Sequence, residues 1–415
     1  MLTRLRTAGF KSLADVEVDL PSLTVLYGPN AAGKSNVLDA LFLLKRLATE
    51  RTLSEALGSE VRGYPVEQLT FPAGGLPELL RKKRGAFSLE ADLDLHDGQK
   101  LRYRVEVEIE PRSGKANVAD EYLARLSKTG EVRGNPPVEA SEDKILVRRQ
   151  DGHRPQHEPR HLSHTVLSDP RRGAPNFVWI EKARTEFQSV RTYYLDPRIS
   201  MRQETPPREV SDIGTLGQHL APFLYRLKHS EFGKNFAAVR RTLNAVIPSV
   251  EDFSVDLNEE RGTLDLKIVQ NGIPFSSRMV SEGTLRVLAL IAIAVNPWPS
   301  SVIAFEEPEN GVHLRRLELI ADLLGAMALQ RNRQVLVTTH SPHFCEHILR
   351  LEKENPNRVG LLIAKQVGGQ TECRPFAAFG PLFERSEIRS QLVNPTEDAQ
   401  DGWFQAMVLR GLVDG

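Results

Sequence analysis

The first clear change of hydrophobic period lies near residue 30 of the 415-residue chain. Residues 16–27 have an extended pattern that ends in the apolar run LTVLY, whereas NVLDALFLLKRLA (36–48) repeats its apolar positions at helical spacing. The segment GPNAAGKS (28–35) lies between them. This part of the sequence therefore predicts a strand, a loop and a helix in that order.

Strict alternation of apolar and polar residues marks two later segments. Residues 86–110 alternate on both sides of an Asp-Gly pair, which is typical of an antiparallel hairpin with one exposed face, and residues 251–270 repeat the pattern. Residues 130–175 are rich in Gly, Pro, His and Arg, and they predict loop with a short strand at ILVRR (145–149). A sheet of antiparallel character is thus expected in the middle of the chain.

The C-terminal half alternates between helical and strand-like patterns. Residues 214–246 and the apolar run 284–295 have helical spacing, as does LRRLELIADLLGAMAL (314–329). The runs SVIAF (301–305) and QVLVTTH (334–340) are typical of buried strands in parallel sheets. The two ends of the chain therefore predict one α/β core around a middle insertion.

Composition and charge narrow the class of protein. Apolar residues make up 40% and charged residues 26% of the chain, and no apolar run is long enough to span a membrane. Lys plus Arg equal Asp plus Glu at 54 each, so any contact with nucleic acid requires a local patch. The two cysteines, Cys345 and Cys373, lack disulfide or zinc-site spacing, and the N-terminus lacks a secretory signal, so we expect a cytoplasmic protein.

The loop that follows LTVLY carries the strongest chemical signal. It matches G-x-x-x-x-G-K-[ST], in which glycines let backbone N–H groups approach phosphate oxygens. Lys34 is expected to reach the β- and γ-phosphates of ATP, and the hydroxyl of Ser35 to reach Mg²⁺. The predicted ATP-binding residues of this loop are Gly28, Pro29, Asn30, Ala31, Ala32, Gly33, Lys34, Ser35 and Asn36.

Two later strands end in residues suited to phosphoryl transfer. Glu306 and Glu307 follow an apolar run, where one carboxylate can hold Mg²⁺ and a second can deprotonate the attacking water. His340 ends the next such run, at the edge where ligands bind in open α/β sheets, and is a candidate partner of the γ-phosphate. A solvated strand end and a structural histidine are the alternatives, and the phosphate loop favours the functional interpretation.

The segment VSEGTLR (280–286) precedes the apolar helix 284–295. Ser281 and Gly283 at a helix N-terminus form an anion site, because the N–H groups there are free and the helix dipole is positive. An ordinary N-cap by Ser281 explains the same pattern. By itself this signal does not distinguish the two.

The order of these motifs resembles the ABC-class ATPases, specifically the soluble ATPases grouped with the RecF, SMC and OLD-type proteins. The opening RLRTAGFKSLADVEVDL (4–20) is similar to the N-terminal strand pair of that group, and LGQHLAPFLYRLK (216–228) with EEPENGVH (306–313) resembles its standalone or defence-linked AAA-type members. The resemblance implies a P-loop ABC-type ATPase head of α/β class, with a mixed sheet, an antiparallel β lobe and an inserted helical and loop region.

The resemblance also implies a role for each motif residue. Glu306 would be the magnesium carboxylate in place of the usual aspartate, Glu307 the catalytic base, and His340 the switch histidine. Ser281 and Gly283 would be the signature residues that touch the γ-phosphate held by a second subunit, which implies a head-to-tail homodimer.

Two further positions follow from the resemblance. Asn310 would lie in the loop that crosses the dimer interface. Gln68 is a candidate for the glutamine loop, with a surface residue as the alternative. The SEGT sequence departs from the full LSGGQ signature of the family, which weakens the predicted contacts across the dimer.

Four regions are expected along the chain. The predicted divisions are residues 1–110 for the N-terminal part of the head with its antiparallel lobe, 111–212 for the insertion, 213–375 for the C-terminal part of the head, and 376–415 for a tail. The segment from residue 356 lacks the strand–glutamate and D-x-D pattern of the nuclease domain found in related OLD-type proteins, so we expect no such domain.

The function expected from these features is ATP hydrolysis at a dimer interface, with Mg²⁺, to regulate an effector that acts on DNA or in anti-phage defence. A scaffold that senses nucleotide with little hydrolysis is the alternative from another class, and a transporter subunit fits less well. The basic segments RKKR (81–84) and 150–172 are interpreted as solvated surface, with nucleic acid or a partner protein as the alternative.

Overall fold

The structure is a computed structural model that describes residues 1–376 except 59, 60, 142, 299 and 332, together with residues 404, 407, 408 and 413. Its strands are β1 Leu2–Phe10, β2 Leu13–Asp19, β3 Leu23–Tyr27, β4 Gly85–Asp94, β5 Lys100–Ile109, β6 Ala116–Leu126, β7 Val138–Ser141, β8 Lys144–Val147, β9 Gln156–Pro159, β10 Val190–Tyr193, β11 Val250–Asn258, β12 Thr263–Gln270, β13 Ile273–Ser276, β14 Val302–Glu306, β15 Gln334–Thr339, β16 Val359–Val367 and β17 Gln370–Pro375. Its helices are α1 Lys34–Thr49, α2 Leu53–Ala56, α3 Gly75–Leu79, α4 Val178–Gln188, α5 Leu220–His229, α6 Gly233–Val246, α7 Glu282–Ala294, α8 Leu317–Gln330 and α9 Pro342–Glu354. Short 3₁₀ turns lie at Pro65–Gln68, Ser200–Arg202 and Leu314–Arg316.

A mostly parallel sheet forms the core of the described part of the chain, with the strand order β10-β14-β15-β3-β16-β17. Only β17 pairs antiparallel to its neighbour. The strands β3, β14 and β15 are short apolar runs, which suits burial on both faces. Alternate residues of β3 pack into two different hydrophobic clusters: Leu23 and Val25 on one side, Leu26 on the other.

An antiparallel sheet with the order β2-β1-β4-β5-β6-β7-β8-β9 packs beside this core. The alternation of buried and partly exposed residues along β4 and β5 is the pattern that predicted the hairpin. A third sheet, β11-β12-β13, carries the second predicted hairpin. The helix α1 packs between the two large sheets with nearly all of its apolar residues buried.

Several elements differ from the sequence prediction. The extended stretch 16–27 is two strands in different sheets, because Pro21 lacks the N–H that would continue the ladder. The helical stretch 214–246 begins with a turn in which Gly214 and Gly217 have φ of 82° and 79°, and helix follows only from Leu220. The predicted short strand at 145–149 is β8 (Lys144–Val147). The neighbouring strands β7 and β9 were missed because neither contains a run of apolar residues such as the ILV of β8.

The predicted domain boundaries remain a prediction. Residue 110 falls at the turn between β5 and β6, two strands that pair along their length. The strand β10, which lies within the predicted insertion, pairs with β14 of the parallel sheet. Apart from Phe376 and four residues beyond it, the predicted tail 376–415 lies outside the described residues. Among the described residues, no helix has the length and apolar character needed to cross a membrane.

Candidate functional site

The predicted site residues follow strands that end at one edge of the parallel sheet. Tyr27 at the end of β3 is in register with Thr339 at the end of β15. Glu306 at the end of β14 is in register with Thr338. The phosphate loop, the paired glutamates and His340 therefore leave the sheet side by side, as expected for the carboxyl ends of parallel strands.

The phosphate loop turns sharply between β3 and α1. Ala31 and Gly33 have φ of 67° and 89°, and the left-handed conformation of Gly33 precedes the first residue of α1. A Cβ atom added to Gly33 would lie 1.9 Å from the hydroxyl of Thr371, so only glycine fits there. Lys34 is 5% exposed, and its ammonium donates to the carbonyls of Gly28 and Pro29, at 2.8 and 2.9 Å. The lysine side chain therefore lies across the loop, and a bound phosphate would compete with these two carbonyls for its hydrogen bonds.

Side chains from two distant strands hold the loop. Ser12, after β1, accepts a hydrogen bond from Asn36 Nδ2 at 2.7 Å and bonds to the Thr371 hydroxyl at 2.6 Å. Thr371, on β17, donates in turn to the carbonyl of Ala32 at 2.9 Å. A pocket of about 480 Å³ opens beside Asn36, and its lining includes Ser12 and Lys11. The space beside the loop is thus large enough for part of a nucleotide.

Glu306 contacts the phosphate loop directly. The hydroxyl of Ser35 donates a hydrogen bond to Glu306 Oε1, although the two residues are 271 positions apart. Hydroxyl and carboxylate oxygens are ligands that Mg²⁺ prefers. Within the described residues no group of three or more His, Cys, Asp or Glu side chains is placed to hold a metal ion. Ser35 and Glu306 thus fit a magnesium ion that takes its other ligands from phosphates and water, as is usual for nucleotide sites.

Arg62 is a site residue that the sequence analysis missed. Its guanidinium lies 3.2 Å from Glu306 Oε1 and 3.0 Å from Asp39 Oδ1, and it donates to the Ser35 carbonyl at 3.1 Å. It also lies 4.9 Å from the centre of the Tyr194 ring. Burial lowers the pKa of Arg62, but the combined attraction of Asp39, Tyr194 and Glu306 outweighs burial, and the pKa is raised overall. Arg62 therefore stays charged beside the proposed magnesium ligands.

Asp39 anchors this arginine from the first turns of α1. It is buried and accepts hydrogen bonds from Lys11 Nζ at 2.7 Å and from the Tyr194 hydroxyl at 3.0 Å. Gln68, the candidate for the glutamine loop, is fully buried and donates to the carbonyl of Arg62 at 3.0 Å. It is not a surface residue; its side-chain nitrogen stabilises the loop that carries Arg62.

Glu307 combines an unusual backbone with two side-chain partners. Its φ of 43° is uncommon for a non-glycine residue, and such conformations concentrate at functional sites. Its Oε1 lies 3.0 Å from His340 Nδ1, and its Oε2 accepts a hydrogen bond from Asn310 Nδ2 at 2.6 Å. The structure thus joins three predicted residues in one cluster.

Residues 306–311, EEPENG, form a loop after β14 that we call the glutamate loop. Glu309 links this loop to the end of β15. It is 5% exposed, and its Oε1 accepts a hydrogen bond from the Thr339 hydroxyl, which in turn accepts the N–H of Ser341 at 3.0 Å. Burial raises the pKa of Glu309. Because Thr339 and Ser341 flank His340, this chain of bonds fixes the backbone on both sides of the histidine. The sequence offered one signal for it, the third acidic residue of EEPEN (306–310).

The start of α7 packs against the same loop. Ser281 is exposed and caps the helix by accepting the N–H of Thr284, so the N-cap alternative is observed. A Cβ added to Gly283 would lie 2.3 Å from the carbonyl of Gly311, and Arg286 donates to the carbonyl of Glu307 at 3.3 Å. Ser281 and Gly283 therefore adjoin the glutamate loop of their own chain, and their predicted contact with a second copy remains a prediction.

Comparison with known proteins agrees with this geometry. A family model described as "AAA domain, putative AbiEii toxin, Type IV TA system" matches residues 23–346, which include the phosphate loop, both glutamates and His340. The chain belongs to this AAA ATPase family. ATPases of this family and fold generally use ATP with Mg²⁺. No curated protein sequence matches the chain.

Solved structures show the same fold at low sequence identity. A head domain described as "SmcHead bound to the C-winged helix domain of ScpA" matches with a TM-score of 0.52 and 14% identity, over 90% of this chain and 97% of the other. An Smc head with an extended coiled coil, bound to the C-terminal domain of ScpA and derived from Pyrococcus furiosus, matches with a TM-score of 0.51 and 11% identity, over 94% and 99%. The fold predicted from the sequence, a P-loop ATPase head of α/β class with a mixed sheet, is confirmed.

Proposed function

We propose that this AAA protein binds ATP with Mg²⁺ at the phosphate loop and hydrolyses it. The observation that carries the proposal is the contact of Ser35 with Glu306, beside Glu307 and His340 at the same sheet edge. A phosphate-binding lysine, two magnesium ligands, a carboxylate base and a histidine are the groups that phosphoryl transfer to water requires.

Each side chain has one task in this scheme. Lys34 neutralises charge on the β- and γ-phosphates, and Ser35 and Glu306 hold the ion, which supplies further neutralisation when bound. Glu307 accepts a proton from the attacking water while the water oxygen bonds to the γ-phosphorus and the bond to the β-phosphate oxygen breaks. His340, held at the edge of the sheet, donates a hydrogen bond to the γ-phosphate.

The proposed active form is a head-to-tail homodimer in which the partner supplies the signature residues. Ser281 supports this arrangement because it lies exposed at the positive N-terminal end of α7, where a γ-phosphate is stabilised. The output is regulation of an effector protein that acts on DNA or in anti-phage defence. The family description, which names a toxin and a Type IV TA system, and the ScpA-bound Smc heads support a partner-linked role.

A scaffold that senses nucleotide with little hydrolysis is the second candidate. It is favoured by the two contacts of Glu307, because His340 and Asn310 each lie against one carboxylate oxygen. A carboxylate held by these two contacts is less free to reorient towards an attacking water, which would slow hydrolysis. Slow turnover together with ATP-dependent dimerisation would select this candidate.

The test is phosphate release and ATP binding by the wild type and by Glu307→Gln. We expect the variant to lose about 100-fold or more in kcat while it binds ATP with unchanged affinity, since general-base catalysis contributes about that much. Glu354→Gln, an exposed carboxylate on α9, is the matched control and should hydrolyse normally. EDTA should stop the wild-type reaction. Near-normal turnover by Glu307→Gln would refute the catalytic assignment.

A further inference from the structure

In the folded chain, the basic segment 81–84 lies beside a turn that is about 30 residues further along the sequence. The register of β4 on β5 pairs Gly85 with Ile109, and β5 returns through a tight turn into β6. The turn at 110–115 therefore lies beside the segment. Arg112 Nε donates to the carbonyl of Leu80 at 3.1 Å, which ties the two together.

We call these two segments, 80–85 and 108–115, the basic edge. They hold six basic residues and two acidic ones, a net charge of +4 on a chain whose total charge is zero. The basic residues, all exposed, are Arg81, Lys82, Lys83, Arg84, Arg112 and Lys115. Part of this surface is concave, with a pocket of about 400 Å³ lined by both segments.

Most of the positive charge at the basic edge is not neutralised by the protein. Within residues 1–376 as described, the side chains of Arg81, Lys82 and Lys83 make no ion pair. Arg84 pairs with Glu108 at 3.0 Å. Glu110 accepts a hydrogen bond from the Ser113 hydroxyl at 3.0 Å. The edge therefore presents a positive field to solvent from two turns at the end of the antiparallel sheet.

The other basic segment, 150–172, behaves differently. Arg172 is buried and pairs with Glu158 and Asp169, and Arg171 pairs with Asp169 at 2.9 Å. The charge of both arginines is thus neutralised within the fold, and the burial of Arg172 and Asp169 shows that these two residues are not solvated surface as predicted. The contrast shows that a basic run alone does not identify a binding surface, whereas unneutralised charge gathered from two segments is a stronger sign.

From these observations we infer that the basic edge binds the phosphate backbone of duplex nucleic acid without sequence preference. Exposed Lys and Arg side chains give affinity for phosphates by releasing counterions. Neither segment contains an aromatic residue, so the edge lacks the stacking platform that single strands use. The exposed large apolar side chains of the described residues all lie outside both segments, so a protein partner or a membrane would find no apolar anchor there.

The basic edge is on the same end of the antiparallel sheet as the pocket of about 480 Å³ beside Asn36. Ala8 near the end of β1 is in register with Ser88 near the start of β4, and Lys11, which follows β1, lines that pocket. Leu69 lies between the pocket and the basic edge. It pairs with Phe10 at the end of β1, and its side chain fills the space where a Cβ atom of Gly85 would lie. The surface is nevertheless separate from the ATP machinery, so the inference does not rest on hydrolysis.

The experiment is fluorescence anisotropy of a labelled random-sequence duplex of about 30 base pairs, titrated with the full chain in EDTA without nucleotide, from about 50 to about 300 mM salt. The variant combines Arg81→Gln, Lys82→Gln and Lys83→Gln. The matched control combines Lys234→Gln, Arg241→Gln and Lys267→Gln, three exposed basic residues on α6 and β12. Circular dichroism and ATP binding verify that each variant folds.

We expect the wild type to bind the duplex with a steep dependence on salt. The variant should bind at least about tenfold more weakly, with the slope of log K against log salt reduced by about 2 to 3, since each phosphate contact contributes about 0.9. The control should match the wild type. Equal binding by a folded variant, tighter binding of a single strand than of the duplex, or binding only of an acidic peptide or anionic vesicles would overturn the inference. Loss of hydrolysis in Glu307→Gln would leave this result unchanged.

Discussion

Glu307 shows how contacts fix the position of a single residue at this site. Its left-handed backbone costs about 1 to 3 kcal/mol, which the surrounding contacts must offset. The carbonyl of Glu307 accepts from Arg286, its N–H donates to the carbonyl of Thr338, and its carboxylate meets His340 and Asn310. The side chain is therefore positioned by three separate parts of the chain.

Glu309 offers a test of positioning at the scale of one residue. Glu309→Ala removes the acceptor of the Thr339 hydroxyl and frees the turn that carries His340. We expect kcat for ATP hydrolysis to fall about tenfold or more with little change in KM, because Lys34 and Ser35 are untouched.

The conservative variant Glu309→Gln keeps an acceptor for Thr339 and should recover most of the rate. Steady-state kinetics of both variants decide the question. If Glu309→Ala raises KM while kcat stays normal, or if the two variants behave alike, Glu309 does not position the histidine turn.

The sequence predicted some of these residues and not others for a physical reason. The motif residues of the phosphate loop, Glu306, Glu307 and His340 each follow an apolar strand, so a local pattern places them at the sheet edge. Arg62, Asp39 and Tyr194 meet only because α1, the loop after α2 and the end of β10 pack together. No local pattern marks such a contact.

At the scale of elements, α7 packs closely against the backbone of the glutamate loop. Because Gly283 has no side chain, the carbonyl of Gly311 can lie in the space that a Cβ atom at position 283 would need. Since Arg286 of the same helix bonds to Glu307, a displacement of α7 is transmitted to the proposed base. The helix that would touch a partner's nucleotide thus also supports the base of its own chain.

The strand β6 carries a second element-scale feature, a fully buried carboxyl. Glu121 accepts the N–H groups of Val166 and Leu167, at 2.6 and 2.9 Å, and the hydroxyl of Tyr103 at 3.1 Å. Burial raises the pKa of Glu121 to about 7, against the opposing effect of these hydrogen bonds. The carboxyl attaches the segment before α4 to the antiparallel sheet.

This carboxyl predicts a pH dependence of stability. Because its pKa is raised in the folded state, its contribution is fully present below the unfolded pKa of about 4.5 and is lost as pH rises towards about 7. The free energy of unfolding should therefore fall over that window by up to about 3 kcal/mol.

Glu121→Gln cannot titrate and should lack this part of the slope. Urea unfolding of both proteins between about pH 4.5 and pH 8 measures it. An exposed control, Glu131→Gln, should keep the wild-type slope. Parallel pH profiles for the wild type and Glu121→Gln would show that Glu121 is ionised throughout.

The elements themselves were predictable where their patterns were long. The α1 helix, the β4–β5 hairpin and the strands β14 and β15 have unbroken periodicity over five or more residues. The four-residue strands β7 and β9 are set by pairing with their neighbours, so their own sequence gave no signal. The order of strands in each sheet also depends on contacts between distant segments.

At the scale of the whole molecule, the chain has balanced charge and two local surfaces with a proposed function. Total charge is zero, so neither ATP nor nucleic acid is drawn by a general field. In the proposed dimer, Ser281 at the exposed start of α7 would complete the ATP site that Lys34 of a second copy begins. We therefore propose that one hydrolysis site is built from two chains.

Mixing two inactive variants tests that claim most directly. Lys34→Ala should not bind ATP, and Ser281→Arg should be unable to complete a partner's site, so each alone should be inactive. An equal mixture forms mixed dimers that contain one site with both groups intact, and about a quarter of the wild-type sites should be restored. Phosphate release by the mixture is the measurement. Wild-type turnover by Ser281→Arg alone, or a mixture no more active than its parts, would contradict the account.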